Sequence, residues 1–496
     1  MLFNSFSFLI FFPVVIAVFF IIPRKTRYIW LLAASYYFYM CWNVKYVLLL
    51  LGTTAVTYLG ALFIERAKER TVLKKLITAL SAIAVLSLLG YFKYANFAID
   101  SLNRVFLELR GVTPFKASDV LLPMGISFYV FQALGYVIDV YREDIKAEKN
   151  PLRYALFISF FPQLVAGPIE RAGKLMGQLN RIHEVDLWDA DRIQRGALTM
   201  LYGFFMKMVI ADRASVFVNT VFDPEMYSTY GGFMYAVAAV LFSIQIYCDF
   251  AGYTYIAIGS AGVMGVEIMD NFHTPYLALN IRDFWDRWHI SLSKWFRDYL
   301  YFPLGGSRKG RVRKYINIFV VFLLSGLWHG AAWHFVLWGA LHGIMRIAGE
   351  ATGAVRQKIY SALRFKTETF ATRLWQRACT FVMVTLAWIV FRAESIGQAV
   401  SIIKGMLTTY NPWVLFDGSL YTCGLDEKDF HVLIYAILFM ILIDVLLYGK
   451  KKLTEAFAAQ NLWFKWLVFI AGICFIAVFG VYGPDFQASQ FIYFQF

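Results

Sequence analysis

The chain has 496 residues, of which 59% are hydrophobic and 19% aromatic but only 16% charged, and its mean hydropathy is +0.57. Soluble globular domains carry about a quarter charged residues, so the composition excludes a soluble enzyme and predicts an all-α polytopic membrane protein, one helical bundle in lipid. The formal net charge of +14 sits in short clusters between apolar runs, which marks topology and attraction to anionic lipid or an anionic ligand, not nucleic-acid binding.

Residues 6–22 make the first apolar run. No positive segment precedes it and no A-x-A site follows, so it is expected to be a retained span and not a cleaved signal. Arg24-Lys25-Thr26-Arg27 comes next, and the positive-inside rule then puts the N-terminus outside and this turn in the cytoplasm. Runs at 28–44, 46–64, 76–91 and 120–141 alternate from there, each ~16–22 residues long against the about 20 that a span needs. Basic loops at 65–75 and 142–153 mark the cytoplasmic turns, and the loop 100–119 carries both signs.

Alternation fails at residues 154–167, a run of about 14 residues that is too short to span. It holds Pro162 and Gln163 and has basic residues on both sides. That pattern predicts a re-entrant element whose freed backbone faces protein or a wet cavity. Runs 197–210 and 234–257 cross out and back, the second enclosing Asp249 and Gly252, and 271–280 is a polar, irregular link. Residues 315–343 again lie between basic segments, 305–314 on one side and Arg346 to Arg377 on the other. This predicts a hairpin with two arms of ~12–15 residues, about 18–22 Å each, and His329 near its apex in mid-membrane. Runs at 379–391, 431–448 and 463–481 complete the path, with a slightly acidic outer loop at 394–430. A basic turn, Lys450-Lys451-Lys452, and an aromatic tail at 491–496 follow. The total is about ten or eleven crossings plus one or two re-entrant elements. No internal repeat supports transporter halves.

Two stretches carry chemistry. In Ser325-Gly326-Leu327-Trp328-His329-Gly330-Ala331-Ala332-Trp333-His334 a histidine sits deep in an apolar run, where it is expensive and so a functional-site candidate. The bland reading is helix packing, with Gly326, Gly330, Ala331 and Ala332 letting helices approach. The second stretch is residues 282–299. Phe284, Trp288, Leu292, Trp295 and Tyr299 recur at helical spacing, while Asp283, Asp286, Arg287, Lys294 and Arg297 largely take the other side. This predicts one interfacial amphipathic helix with Arg282–Asp286 and Lys294–Asp298 pairs. His289 lies at the border of its apolar stripe, beside Trp285 and Phe296, where it could turn toward His329.

A histidine near neutrality can act as general base toward a hydroxyl or thiol. Gly259-Ser260-Ala261-Gly262 lacks the spacing of a serine-hydrolase elbow. No HExxH occurs, and His329 with His334 at i,i+5 is poor ligand geometry, so no metal is expected. Five scattered cysteines, Cys41, Cys248, Cys379, Cys423 and Cys474, form no CxxC pair and no disulfide framework. A base without a protein nucleophile points to direct transfer of an activated group to an acceptor hydroxyl. Basic residues at the cytoplasmic mouth would hold a phosphate-bearing donor.

Residues 282–293, Tyr301-Phe302-Pro303-Leu304-Gly305-Gly306-Ser307-Arg308-Lys309-Gly310 and Gly326-Leu327-Trp328-His329-Gly330 together resemble the membrane-bound O-acyltransferase family. Leu122-Pro123-Met124-Gly125-Ile126-Ser127-Phe128, the stretch from Phe160 to Ile169 and Tyr247-Cys248-Asp249-Phe250-Ala251-Gly252-Tyr253 agree, in the family's order and over nearly the whole chain. The bacterial branch it resembles includes an alginate O-acetyltransferase membrane subunit and a D-alanyl transfer protein of teichoic acid modification. The resemblance implies a single membrane domain over 1–496, with N-terminal spans at 1–141, a core with the motifs at 142–350 and C-terminal spans at 372–496. It implies tilted helices around a funnelled central tunnel. By position, His329 is the catalytic histidine and His289 the second polar catalytic position. Trp328, Trp285, Trp288, Asp249 and Gln163 are expected to line the tunnel or substrate. Arg282, Arg287, Lys294 and Arg297 are expected to bind the donor, and His334 and His342 to be structural.

The donor implied is a cytoplasmic thioester, acetyl-CoA, taken as substrate with no resident cofactor. The acceptor implied is an extracellular or cell-wall polysaccharide. A separate extracytoplasmic serine-esterase-like (SGNH) acetyltransferase is the expected partner, alongside membrane lipids, and the location is the bacterial cytoplasmic membrane. The second reading is D-alanyl transfer from a carrier-protein thioester, and a third, of another class, is a non-catalytic conduit for acyl groups.

Overall fold

The computed structural model describes residues 1–67, 69–117, 121–165, 167–449 and 453–482. The turn expected at Lys450-Lys451-Lys452 and the tail at 491–496 lie outside them. Among the described residues every regular element is helical. Six helices among the described residues are long and apolar enough to cross a membrane: Val44–Arg66, Thr71–Arg110, Phe233–Val263, Phe370–Arg392, Glu427–Tyr448 and Leu462–Phe479. The other expected crossings fall on segments that are shorter or more highly charged. The chain divides into two compact units, Met1–Met200 with Ile256–Met269, and Leu201–Tyr255 with Asp270–Phe496.

The first unit begins with α1 (Phe6–Ile21), α2 (Arg27–Met40), α3 (Val47–Arg66) and α4 (Thr71–Leu89). Ser5 caps α1 by accepting from Phe8 N, and Trp30 Nε1 donates to Val15 O at 3.0 Å, tying α2 to α1. A π-helical turn at Gly90–Tyr94 carries α4 into α5 (Ala95–Arg110), which ends at the left-handed Gly111. The mixed-sign segment expected as a loop from residue 100 is therefore helical to Arg110. No Gly or Pro interrupts it, and Leu102, Arg104, Leu107, Glu108, Leu109 and Arg110 are good helix formers. After α6 (Ile126–Arg142) the chain breaks where the sequence predicts.

Asn150 caps α7 (Pro151–Ser159), Phe160 leaves helical geometry, and Pro162 sits in the first turn of α8 (Phe161–Leu164). The polar groups freed by that break are met by side chains. Phe161 N donates to Ser35 Oγ at 3.1 Å. Phe157 O accepts from Gln132 Nε2 at 2.7 Å and from Gln163 Nε2 at 3.0 Å. Each such bond is worth about 0.5–1.5 kcal/mol net, and an orphaned partner in a dry interior costs more. The helix α9 (Ala172–Asn180) follows.

The helix α10 (Ala190–Phe204) runs through a π-helical stretch, Phe205–Ala211, into α11 (Asp212–Val221), and α12 spans Phe233–Val263. In the second unit Lys207 Nζ sits 2.7 Å from both Asp212 Oδ1 and Asp249 Oδ1, all three buried. A buried charge survives in this setting only when paired. The helices α13 (Ile281–Arg287) and α14 (Ile290–Phe296) precede the hairpin of α15 (Gly310–His329) and α16 (Trp333–Ala351). Then come α17 (Gly353–Ala362), α18 (Phe370–Arg392), α19 (Ile396–Thr408), α20 (Glu427–Tyr448), α21 (Leu453–Ala458) and α22 (Leu462–Phe479).

The hairpin is the expected one, but its arms are longer. Gly326 lies against Gly339, Gly343 against Phe319 and Phe322, and Lys314 pairs with Glu350, so the arms run antiparallel. A Cβ on Gly326 would strike the Phe335 carbonyl, and one on Gly339 the Phe322 carbonyl; glycine permits this approach. With 20 and 19 residues, the arms reach about 28–30 Å at ~1.5 Å per residue, a full hydrocarbon thickness. Helix continues through the basic Arg311-Val312-Arg313-Lys314 at one end and past Gly343, where Arg346 pairs with Glu350 at i,i+4, at the other. The expectation of half-length arms is corrected accordingly, and arm length no longer places His329 at mid-membrane.

Candidate active site

His329 is the last residue of α15, and Gly330 after it is extended. A Cβ at Gly330 would overlap the Phe335 ring, so the turn after His329 is tight and only glycine fits it. His289 is brought to the same place by a different device. The single amphipathic helix expected over 282–299 is broken: α13 stops at Arg287, Trp288 is extended, and His289 is left-handed at φ +44° and ψ +53°. The cause lies upstream in the irregular link. Ile290 N donates to Asn271 O at 3.0 Å, His273 N to Arg287 O at 3.0 Å, and Ser291 N to Asn271 Oδ1 at 3.2 Å. These bonds replace the helical ladder at the break. Most of the apolar stripe nonetheless stays buried, with Phe284, Trp288, Leu292 and Trp295 all at 7% exposure or less, while Arg282, Asp286, Lys294 and Arg297 on the other side are exposed, so the stretch keeps its amphipathic character as two short helices in place of one.

The two imidazole rings lie 6.1 Å apart, centroid to centroid. His289 is 0% and His329 2% exposed. Trp328 contacts both, at 5.8 Å and 5.1 Å, Phe250 packs on His289 at 4.7 Å, and Phe391 faces His329 at 5.7 Å. Trp338 stands edge-on to His329 at 5.1 Å and stacks with Trp388 at 5.5 Å. Trp288 joins Trp388 at 5.1 Å. Trp285 is one shell further out and donates Nε1–H to His342 Nδ1 at 3.2 Å, which leaves His342 its proton on Nε2. Among the described residues, Trp288 Nε1, Trp338 Nε1, Trp388 Nε1 and His342 Nε2 have no hydrogen-bond partner. Four buried donors in one aromatic cluster beside His329 are unusual, since buried N–H groups are nearly always matched.

The other expected site residues are placed differently. Asp249 is held by Lys207, and the contact with His289 is made by its neighbour Phe250. Gln163 belongs to the first unit, where its amide also donates to Gln132 Oε1 at 3.0 Å. Of the basic residues, Arg282 is exposed and loosely paired with Asp286 at 3.9 Å. Arg297 pairs with Asp298 at 3.0 Å, and Lys294 is exposed. Only Arg287 is half-buried, 2.7 Å from Asp283. His334 is buried against Phe335 at 4.1 Å. Sequence reading missed Trp338, Trp388, Phe391, Asn271 and Lys207. One signal was there: His334, Trp338 and His342 recur every four residues, one face of α16. Among the described residues no group of three or more His, Cys, Asp or Glu is arranged to hold a metal.

Two buried histidines from separate segments, enclosed by indoles in a helical membrane bundle, define an integral-membrane enzyme built for group transfer. The chain belongs to the membrane-bound O-acyltransferase family, whose model matches residues 146–397. It is 39% identical over 417 residues to a probable alginate O-acetylase, AlgI, of Pseudomonas syringae pv. tomato, covering 84% of this chain and 76% of that protein. It is 36% identical over 404 residues to the peptidoglycan O-acetyltransferase of Helicobacter pylori, covering 76% of this chain and 73% of that one. The match to the teichoic acid D-alanyltransferase of Bacillus subtilis is 31% over 235 residues, 45% of this chain and 57% of that protein. The protein is a multi-pass membrane acyltransferase.

Proposed function

We propose that this enzyme takes an acetyl group from a cytoplasmic thioester, acetyl-CoA, and passes it across the bacterial cytoplasmic membrane for O-acetylation of an extracellular or cell-wall polysaccharide. The pairing of His289 with His329 inside one aromatic enclosure is the observation that carries the reading. His329 takes the proton of the acceptor hydroxyl as its oxygen attacks the thioester carbonyl. The C–S bond breaks, and the imidazolium returns the proton to the departing thiolate. His289 is the second catalytic group, and the unmatched N–H donors of the indole cluster suit the oxygen on which negative charge develops. A serine-esterase-like partner outside the membrane completes transfer to the glycan, with the N-terminus on that side. Arg282, Arg287, Lys294 and Arg297 are the donor-binding set.

Relatives named for O-acetylation match most of this chain, which favours acetyl over D-alanyl transfer. Purified enzyme with labelled acetyl-CoA and an acceptor tests this. Acetyl transfer lost in His329→Ala supports it, whereas transfer only from a D-alanyl-loaded carrier selects the second reading. Label crossing the membrane with its thioester intact would make the protein a conduit.

A further inference from the structure

Tyr448, the last residue of α20, carries two cations. The guanidinium carbon of Arg287 lies 4.9 Å from its ring centroid, and that of Arg377, two turns into α18, also lies 4.9 Å from it. Like charges repel, and a phenol ring offsets that only in part. Arg287 is matched by Asp283 at 2.7 Å. Arg377 has no carboxylate within ion-pair distance among the described residues. Its Nε donates to Leu277 O at 3.2 Å, which leaves the outer edge of its fork. On Arg287, Nε is taken by Asp283, and Nη1 by His273 and Thr274. Among the described residues the second terminal nitrogen donates to no such partner and is the edge left to a ligand. The place is short of one anion, and the planar forks presented there suit phosphate oxygens.

Arg287 is also the residue from which the chain turns to the catalytic pair. Trp288 is extended and His289 follows, so the two residues span about 7 Å of chain. An anion at the arginine pair is therefore tied to the histidines by the most constrained segment of the site. The acyl-transfer reading supplies such an anion in the phosphate of its thioester donor.

We propose that Arg287 and Arg377, stacked on Tyr448, hold the phosphate of the acyl donor, a phosphate ester bearing its thioester on a long flexible arm. This rests on the acyl-transfer reading and assigns Arg377 and Tyr448 to the donor site beside Arg287.

The test is equilibrium binding of free CoA, which cannot turn over, to the full-length enzyme in phosphatidylcholine vesicles, with pantetheine as the phosphate-free probe. Arg377→Gln is expected to weaken CoA binding roughly tenfold or more, Arg377→Lys by less, and pantetheine binding to stay unchanged. Tyr448→Leu, which removes the ring and keeps both charges, is expected to weaken CoA severalfold. His329→Ala is expected to bind CoA normally, so failure of the acyl-transfer reading and failure of this one are read separately. Equal CoA affinity in wild type, Arg377→Gln and Tyr448→Leu overturns the proposal, as does an equal loss of pantetheine binding, which would mean a collapsed site. Repeating the titration with phosphatidylglycerol in the vesicles separates the other source of phosphate. If Arg377→Gln changes retained anionic lipid and leaves CoA affinity intact, the pair serves a lipid headgroup and the proposal fails.

Discussion

Two helices in this protein are interrupted inside buried segments, and they are interrupted for opposite reasons. At Phe160 the break is local: a proline two residues on and a short run leave the backbone no other course, and Ser35, Gln132 and Gln163 meet the freed groups. At Trp288–His289 there is neither proline nor glycine. A distant asparagine pulls the chain open, a histidine is forced to φ +44°, and the indoles gathered around the break keep N–H groups unmatched. At the first break the backbone groups Phe161 N and Phe157 O are met and tie their unit together, although Gln163 Oε1 is buried without a hydrogen-bond partner among the described residues. The second stores strain of the order of 1–3 kcal/mol and leaves donors available, the pattern expected where geometry serves chemistry.

That contrast is sharpened first by removing the proposed base. His329→Ala is expected to lower acetyl transfer by roughly 10²–10⁴-fold, the usual contribution of a positioned acid–base group, with an unchanged unfolding midpoint. A mutant that unfolds earlier and keeps its rate would make His329 a packing residue. Next in size is Asn271→Ala, which removes the acceptor of Ser291 N. A misplacement of His289 by about 1 Å would cost roughly 10²-fold in rate. Asn271→Asp, which keeps the acceptor oxygen, is expected to recover most of it. Equal rates in the two variants would detach the break from catalysis.

These two regions also mark what the sequence discloses. The short run with Pro162 between basic flanks announces its own break, because its causes lie within the run. Hairpin topology was legible in the same way from charge on both sides of residues 315–343. The break at His289 was not legible: a clean helical stripe over 284–299 is compatible with one helix, and only the bonds from Asn271 and His273 decide otherwise. The stripe stayed buried through the break, so the apolar residues were identified correctly and the backbone was not. Lys207 was missed because a lone lysine in an apolar run discloses no partner, and Asp212 and Asp249 reach it from other helices. His289 and His329 were found by chemistry and family resemblance, while their 6.1 Å approach is a tertiary fact that spacing does not encode.

A smaller effect belongs to the structural break. Ser35→Ala leaves Phe161 N without its acceptor and is expected to cost about 1–3 kcal/mol of stability, read as a lower unfolding midpoint, with the transfer rate per folded enzyme unchanged. A rate loss there would give the first break a share in catalysis and blur the distinction.

The smallest expected effect is the most discriminating, because its sign is unusual. His289→Ala and His289→Gly both delete the imidazole, and both are expected to lose transfer. Their stabilities separate the two kinds of break. At an ordinary helix-interior or strand position glycine is less stable than alanine by about 0.5–1 kcal/mol, since it gives up more chain entropy. At φ +44° an alanine Cβ is strained and glycine is not, so His289→Gly is expected to be the more stable by about 1 kcal/mol. Phe160 sits at φ −50°, and there the same pair of substitutions is expected to keep the ordinary order. If alanine is the better replacement at both places, His289 is not held left-handed in the folded protein. The imidazole would then be free to swing away from His329, and the enclosure would owe its geometry to Trp328 and Phe250 alone.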